Sequence, residues 1–134
     1  MAELTLELVT PEQRILSEEA DEVIVPGFNG LFGVRPGHAP LLSVMQPGIL
    51  SYRQGNASKS YFISGGFARV AENKVLVLAD QAEAVSDIDV SAAQKRLQEA
   101  EERLKGMSAD DARFETESAT VRCETARMAA ASRR

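Results

Sequence analysis

The sequence predicts an α+β chain: a β sandwich or barrel over residues 1–86, then an α-helical hairpin over 87–134. Three observations carry that expectation. Short apolar runs broken by Gly, Pro and Asn recur as far as about Val85, which is the punctuation of short strands. No convincing helical period interrupts them. From Asp87 onward the apolar residues recur at spacings of three and four, the period of an amphipathic helix.

Taken in order, Leu4, Leu6 and Leu8 alternate with Thr5 and Glu7, as a strand with one buried face requires. Thr10-Pro11-Glu12-Gln13 is turn chemistry, Arg14 to Leu16 a short return strand, and Val23-Ile24-Val25 a buried strand stopped by Pro26-Gly27. Gly33 to Leu42, with two prolines and two glycines, is expected to be a sharply turning loop. Before it, Gly27 to Phe32 forms a Gly-rich tip displaying Phe28, Leu31 and Phe32, three large apolar side chains that a turn does not need. Strands are expected at Leu41 to Met45, Ile49 to Arg53 and Ser60 to Ile63, separated by Gln46-Pro47-Gly48 and Gln54-Gly55-Asn56-Ala57. Ser64-Gly65-Gly66-Phe67 predicts a tight turn or bulge, followed by a hairpin of Ala68–Ala71 and Lys74–Leu78 across Glu72-Asn73.

In the helical part, Ala93, Leu97, Ala100, Leu104 and Met107 form one apolar stripe, with Asp89 as N-cap and Gly106 as a left-handed terminator. Ser108-Ala109-Asp110-Asp111 resembles a capping box opening a second helix. Phe114, Val121 and Met128 lie seven apart along it, but Ser118 and Thr125 fill the positions between. Each large apolar anchor contributes roughly 1.5 to 3 kcal/mol, so so thin a stripe implies marginal docking and more than one possible arrangement.

Composition narrows the function. The 134 residues carry 44% hydrophobic residues and a net charge of -5, with a pI near 4.9, which suits a globular chain and argues against nucleic acid. His38 and Cys123 are the single residues of their types, too few for a His- or Cys-based metal site. His38 is expected to be a hydrogen-bonded loop residue or a contact residue. Gly27, Gly30 and Gly33 lack the helix start and Lys of a phosphate loop. Arg113, Arg122 and Arg127 fit a solvated helix face, with an interaction surface as the alternative. Glu83, Asp87 and Asp89 are explained by capping and solvation; a small hydrolase built on Glu83 or Asp89 would lack an orienting base and an oxyanion donor set. With no apolar leader and no bilayer-length apolar run, a cytoplasmic protein is expected, and any membrane association would run through another protein.

Gly30-Leu31-Phe32-Gly33-Val34-Arg35-Pro36-Gly37-His38-Ala39-Pro40-Leu41-Leu42, Pro47-Gly48-Ile49-Leu50, Ile63-Ser64-Gly65-Gly66-Phe67-Ala68 and Val77-Leu78-Ala79-Asp80 together resemble the epsilon subunit family of bacterial F-type ATP synthase. The mitochondrial counterpart is the delta subunit. The resemblance implies a flattened β sandwich of about ten strands and a helical hairpin, with no catalytic site and no cofactor or metal. It implies a place at the foot of the central stalk, bound to gamma and to the c-subunit ring, coupling proton-driven rotation to ATP synthesis in the catalytic head. The location implied is peripheral, at the cytoplasmic face of the bacterial inner membrane.

By the same resemblance Asn29, Gly30, Leu31 and Phe32 contact the c ring, and His38, Leu42 and Ser43 face gamma. Many relatives carry an acid where Leu31 stands, so this contact is expected to be more apolar and less salt-sensitive. The hairpin, through Leu97, Leu104, Phe114, Val121, Arg122, Arg127 and Met128, is expected to inhibit ATP hydrolysis when it extends toward the alpha and beta subunits. An alternative is a nucleotide-sensing module whose hairpin is held folded by ATP. Some relatives bind ATP through Ile-Asp, two variable residues, then Arg-Ala. Here Ile88, Asp89 and Ala93 match, Glu83 is retained and Arg127 approximates a basic partner, but Ala92 replaces the Arg. Loss of that guanidinium removes a phosphate contact worth roughly 1.5 to 3 kcal/mol. Calorimetric titration of the isolated chain with ATP is expected to show no micromolar binding; a micromolar isotherm would favour the nucleotide sensor.

Overall fold

The computed structural model describes residues 3–133, which divide into two compact units between Ala84 and Val85. The first unit is a ten-stranded sandwich: β1 (Leu4–Val9), β2 (Arg14–Ala20), β3 (Glu22–Gly27), β4 (Gly30–Val34), β5 (Leu41–Met45), β6 (Gly48–Gln54), β7 (Ala57–Ile63), β8 (Gly66–Ala71), β9 (Lys74–Ala79) and β10 (Ala82–Ala84). The strands follow the order β10-β7-β6-β3-β5-β8-β9-β1-β2, with β4 paired to β3. All pairings are antiparallel except β1 with β9.

Alternation builds the core. In β1 the side chains of Leu4, Leu6 and Leu8 are fully buried while those between are not, and Val75 and Val77 of β9 stand opposite Leu6 and Leu8. Ala68 and Val70 of β8 extend the same buried rows. The corner between layers is made by β3. Its start, Glu22–Ile24, pairs with β6, whereas its end, Gly27, pairs with Met45 of β5. Pro26 sits at the switch, and its carbonyl accepts the Gln46 N–H at 3.1 Å.

Turn chemistry behaves as expected at three places. Thr10 N–H donates to the Gln13 carbonyl at 2.9 Å, Gly55 has φ +60°, and Glu72 and Asn73 both take positive φ in the two-residue β8–β9 turn. Gly66 is obligatory, because a Cβ there would meet the Leu78 carbonyl oxygen at 2.0 Å.

Several expectations are corrected. The Gly-rich tip from Gly27 to Phe32 and the loop expected from Gly33 are both shorter: Gly30–Val34 is a strand, since Gly27 pairs with Gly30 and leaves only Phe28 and Asn29 as the turn. Gly66 and Phe67 belong to β8, and the return strand β2 continues to Ala20. β10, only three residues long, carries too little pattern to be read from sequence.

Two further corrections concern the second unit, which holds a short 3-10 turn (Val85–Asp87), α1 (Val90–Lys105) and α2 (Phe114–Ala131). Asp89 is the N-cap of α1, its carboxylate accepting the Ala92 N–H at 3.1 Å. Gly106 ends α1 with φ -96°, so it is not a left-handed terminator. The capping box fails as well. Asp111 instead accepts the Arg113 N–H at 2.8 Å and its guanidinium at 3.1 Å, closing a turn before α2 starts at Phe114. Those hydrogen bonds hold the Asp111 carboxyl below the usual carboxylate range.

The buried Tyr52 hydroxyl donates to Glu18 Oε2 at 2.6 Å, tying β6 to β2. Burial, followed by this hydrogen bond, raises its pKa well above the ordinary tyrosine value. Because the raised pKa belongs to the folded state, the stabilisation is complete below about pH 10 and lost as pH rises beyond it. Tyr52→Phe is expected to lower stability by about 1 to 2 kcal/mol at pH 7 and to flatten the alkaline loss. Urea melts of both proteins between pH 7 and pH 11 provide the check; parallel alkaline limbs would contradict the assignment.

Candidate functional site

The sandwich presents large apolar side chains where its alternation leaves them outside. Directly paired residues share a face, so Val44, Phe67 and Leu78, in register across β5, β8 and β9, form one outward row. All three are about half exposed. The inward rows beside it contain Ala68 with Val77 and Val70 with Val75, which are buried.

The β3–β4 tip adds a second apolar element. Phe28 is 69% exposed and Leu31 68%, and the Phe28 N–H is held by the Val44 carbonyl at 2.8 Å. Between tip and β5 runs a groove of about 700 Å³, walled by Phe28, Leu31 and Phe32 on one side and Leu41, Leu42 and Val44 on the other. Residues that the sequence reading assigned to two separate contacts, the tip and Leu42 with Ser43, therefore line one depression. Asn29 and Gly30 lie at its rim, where Gly30 has φ +124°.

Ser43 borders the same groove but pairs with Ala68 on the opposite side of β5 from Leu42, and its hydroxyl donates to the Val44 carbonyl at 3.1 Å. His38 is a hydrogen-bonded loop residue, as expected. Its Nδ1 lies 2.7 Å from the Ala39 carbonyl, and its N–H donates to the Arg35 carbonyl at 3.1 Å. The loop is anchored by Gly37 N–H to Asn73 Oδ1 at 2.7 Å and by Arg35 to Glu22 at 3.0 Å. Sequence reasoning did not single out Val44, Phe67 and Leu78. The signal was present in Val75-Leu76-Val77-Leu78, an unbroken apolar run where a strand with one wet face would alternate.

In the second unit Ala93 and Ala100 are buried, and Leu97 and Leu104 are half-buried on the same stripe of α1. Ile88 is buried and Ala92 half-buried; Glu83 lies on β10, in the first unit. The seam of α2 is unlike its sequence expectation. Phe114, Val121 and Met128 are only half-buried, whereas Glu124 and Arg127 are buried along with Ala130 and Ala131. Arg127 is thus not part of a solvated face. Glu124 Oε1 lies 3.1 Å from both Arg127 Nε and Arg96 Nη2, and this carboxylate neutralises the buried guanidinium. Arg127 also reaches Cys123 Sγ at 3.7 Å, while burial pushes the Cys123 thiol pKa up.

A second interhelical pair joins Arg103 of α1 to Glu117 of α2. Both pairs run from an Arg on α1 to a Glu on α2, and members on each helix are seven residues apart, two turns. Charge therefore sets the register of this hairpin where the apolar stripe is thin. Arg113 and Arg122 are exposed, and Arg122 pairs with Glu115 of its own helix at 2.8 Å. Among the described residues no group of three or more His, Cys, Asp or Glu could hold a metal ion, and no helix is long and apolar enough to cross a membrane.

Comparisons with known proteins agree on one family. The family described as ATP synthase, Delta/Epsilon chain, beta-sandwich domain matches residues 3–85. The chain is 62% identical to the ATP synthase epsilon chain of Myxococcus xanthus (strain DK1622), over 98% of this chain and 96% of that one. It is 48% identical to the ATP synthase epsilon chain of Anaeromyxobacter sp. (strain Fw109-5), over 97% and 98%. Among solved structures, a chain of the Euglena gracilis mitochondrial ATP synthase OSCP/F1/c-ring assembly aligns with a TM-score of 0.83 at 28% identity, over 97% of this chain and 82% of that one. A chain of the Tetrahymena thermophila mitochondrial ATP synthase central stalk and c-ring, at 18% identity, shares the fold with a TM-score of 0.66 over 94% and 96%.

Glu124→Gln would leave Arg127 buried without its counter-charge. Amide hydrogen exchange in α2 is expected to speed up by at least about tenfold, with the strands unchanged, whereas Arg122→Ala at the exposed pair should stay within about twofold of wild type. Equal protection in both variants would show that the Glu124 pairs do not hold the hairpin.

Proposed function

Because this chain belongs to the family of ATP synthase delta and epsilon chains, we propose that it is a non-catalytic subunit of the central stalk that couples c-ring rotation to ATP synthesis in the catalytic head through gamma. The observation that carries this reading is the pair of exposed apolar surfaces on one hydrogen-bonded sheet, the Phe28/Leu31 tip and the Val44/Phe67/Leu78 row. Exposed apolar surface rimmed by polar groups marks contact with other proteins. A sheet fixed by backbone hydrogen bonds transmits torque between two such contacts without deforming.

In this reading the tip residues Asn29, Gly30, Leu31 and Phe32 meet the c ring, and the face around His38, Leu42 and Ser43 turns toward gamma. Leu31 makes the ring contact apolar. On the same reading the subunit is peripheral, at the cytoplasmic face of the bacterial inner membrane, and attached only through its partners.

The hairpin is the regulatory part. Its seam is held by two Arg–Glu pairs, buried alanines and a few half-buried larger side chains, so parting the helices loses little apolar burial. When extended, Leu97, Leu104, Phe114, Val121 and Met128, with Arg122 and Arg127, are free to engage alpha and beta and block hydrolysis. The nucleotide-sensing alternative gains no support here. Asp89 is engaged in capping α1, and Ala92 offers no guanidinium.

Both parts are tested on the complex reconstituted in inverted vesicles, with ATP hydrolysis and proton pumping recorded together. The complex carrying a chain ending at Asp87 is expected to hydrolyse ATP several times faster than the complex carrying the full chain at equal stalk occupancy, and Leu31→Asp to lower protons pumped per ATP. Equal hydrolysis rates would make the hairpin a passive part of the stalk. Unchanged pumping with Leu31→Asp would move the ring contact away from the tip.

A further inference from the structure

The outward face of β5, β8, β9 and β1 is apolar in one row and mixed in the next. Beside Val44–Phe67–Leu78 runs the row Leu42–Arg69–Leu76–Glu7. Arg69 thus stands in register between two leucines, two residues along β8 from exposed Phe67 on the same side. This is an unusual place for a cation. The neighbouring Lys74 is neutralised by Glu7 at 3.2 Å, and elsewhere in the sandwich Arg35, Arg53 and Lys59 each pair with a carboxylate, while Arg14 stands exposed at the start of β2, away from any such apolar row. Among the described residues no carboxylate pairs with Arg69. It opens instead onto a concavity of about 300 Å³, lined also by Ala71, Glu72, Lys74 and Leu76.

We propose that Arg69 is a specificity-determining residue of this face: it receives an Asp or Glu carboxylate from gamma when an apolar segment of gamma covers Val44, Phe67 and Leu78. The inference rests on the reading that this face turns toward gamma, and it adds the chemistry of the partner. Charge complementarity supplies the argument. A guanidinium flanked by leucines and brought out of water by a partner needs a counter-charge, and its planar fork takes a carboxylate in two parallel hydrogen bonds. An apolar partner without an acid would leave the charge buried and uncompensated. Arg and aromatic residues together are also the composition of an interface centre. The face is continuous with the His38 loop, since Gly37 is tied to Asn73 of the β8–β9 turn and Leu42 pairs with Arg69.

The test uses the full chain binding to catalytic heads that contain gamma but lack this subunit, at several salt concentrations. Arg69→Ala is expected to weaken binding about tenfold and to reduce its salt dependence, Arg69→Glu to weaken it about a hundredfold or more, and Arg69→Lys to recover part of the loss. Phe67→Ala, as a comparison, is expected to weaken binding while leaving the salt dependence unchanged. Arg69 is exposed, so melting temperatures of the Arg69 variants should match wild type. If Arg69→Glu binds as wild type while Phe67→Ala binds weakly, the carboxylate inference is overturned and the face remains gamma's. If neither variant changes binding, the assignment of the face to gamma falls with it. Aggregation of Arg69→Ala with unchanged affinity would show that Arg69 serves solubility, which also overturns the inference.

Discussion

The period-2 alternation of the strands, locked into register by the ladders, is the constraint on which everything else depends. Once Leu6 and Leu8 face Val75 and Val77 inside the sandwich, the intervening residues have no choice of side. Leu76 and Leu78 must then stand outside, as must Phe67 opposite Leu78 and Val44 opposite Phe67. The exposed apolar row is thus a consequence of core formation combined with apolar residues at positions the core does not use. Such residues are tolerated on a soluble surface at a cost in solubility, and a partner that covers them removes that cost.

The corner at β3 shapes the other apolar element. Because β3 leaves β6 and joins β5 over a few residues, its continuation through Phe28 and Asn29 is pinned beside β5 rather than left projecting. That pinning forms the groove, and it converts a turn that sequence presents as a loose tip into one wall of a shaped depression.

The two units rely on different physics. The sandwich is held by apolar burial that changes little with salt, whereas the hairpin seam mixes small apolar contacts with interhelical ion pairs. The arginines of these interhelical pairs are about half exposed, so the pairs contribute register more than net stability.

Much of this was legible in the residues themselves. Strict alternation in β1, the Glu72-Asn73 turn, the Asp89 cap and the apolar stripe of α1 are local features, set by steric and hydrogen-bonding preferences that act within a few residues, and the sequence by itself determined them. It determined equally the α+β class, the family motif from Gly30 to Leu42, and the display of Phe28 and Leu31. Tertiary structure decided what depends on residues far apart in the chain. It made Gly30–Val34 a strand by pairing it with β3, brought Val44, Phe67 and Leu78 into one row, and left Arg69 without a carboxylate among them. It also buried Arg127 against Glu124, which the helical period alone assigns to solvent. In each case the deciding quantity was which side of a strand or helix met a partner element, and that information resides in the register between elements.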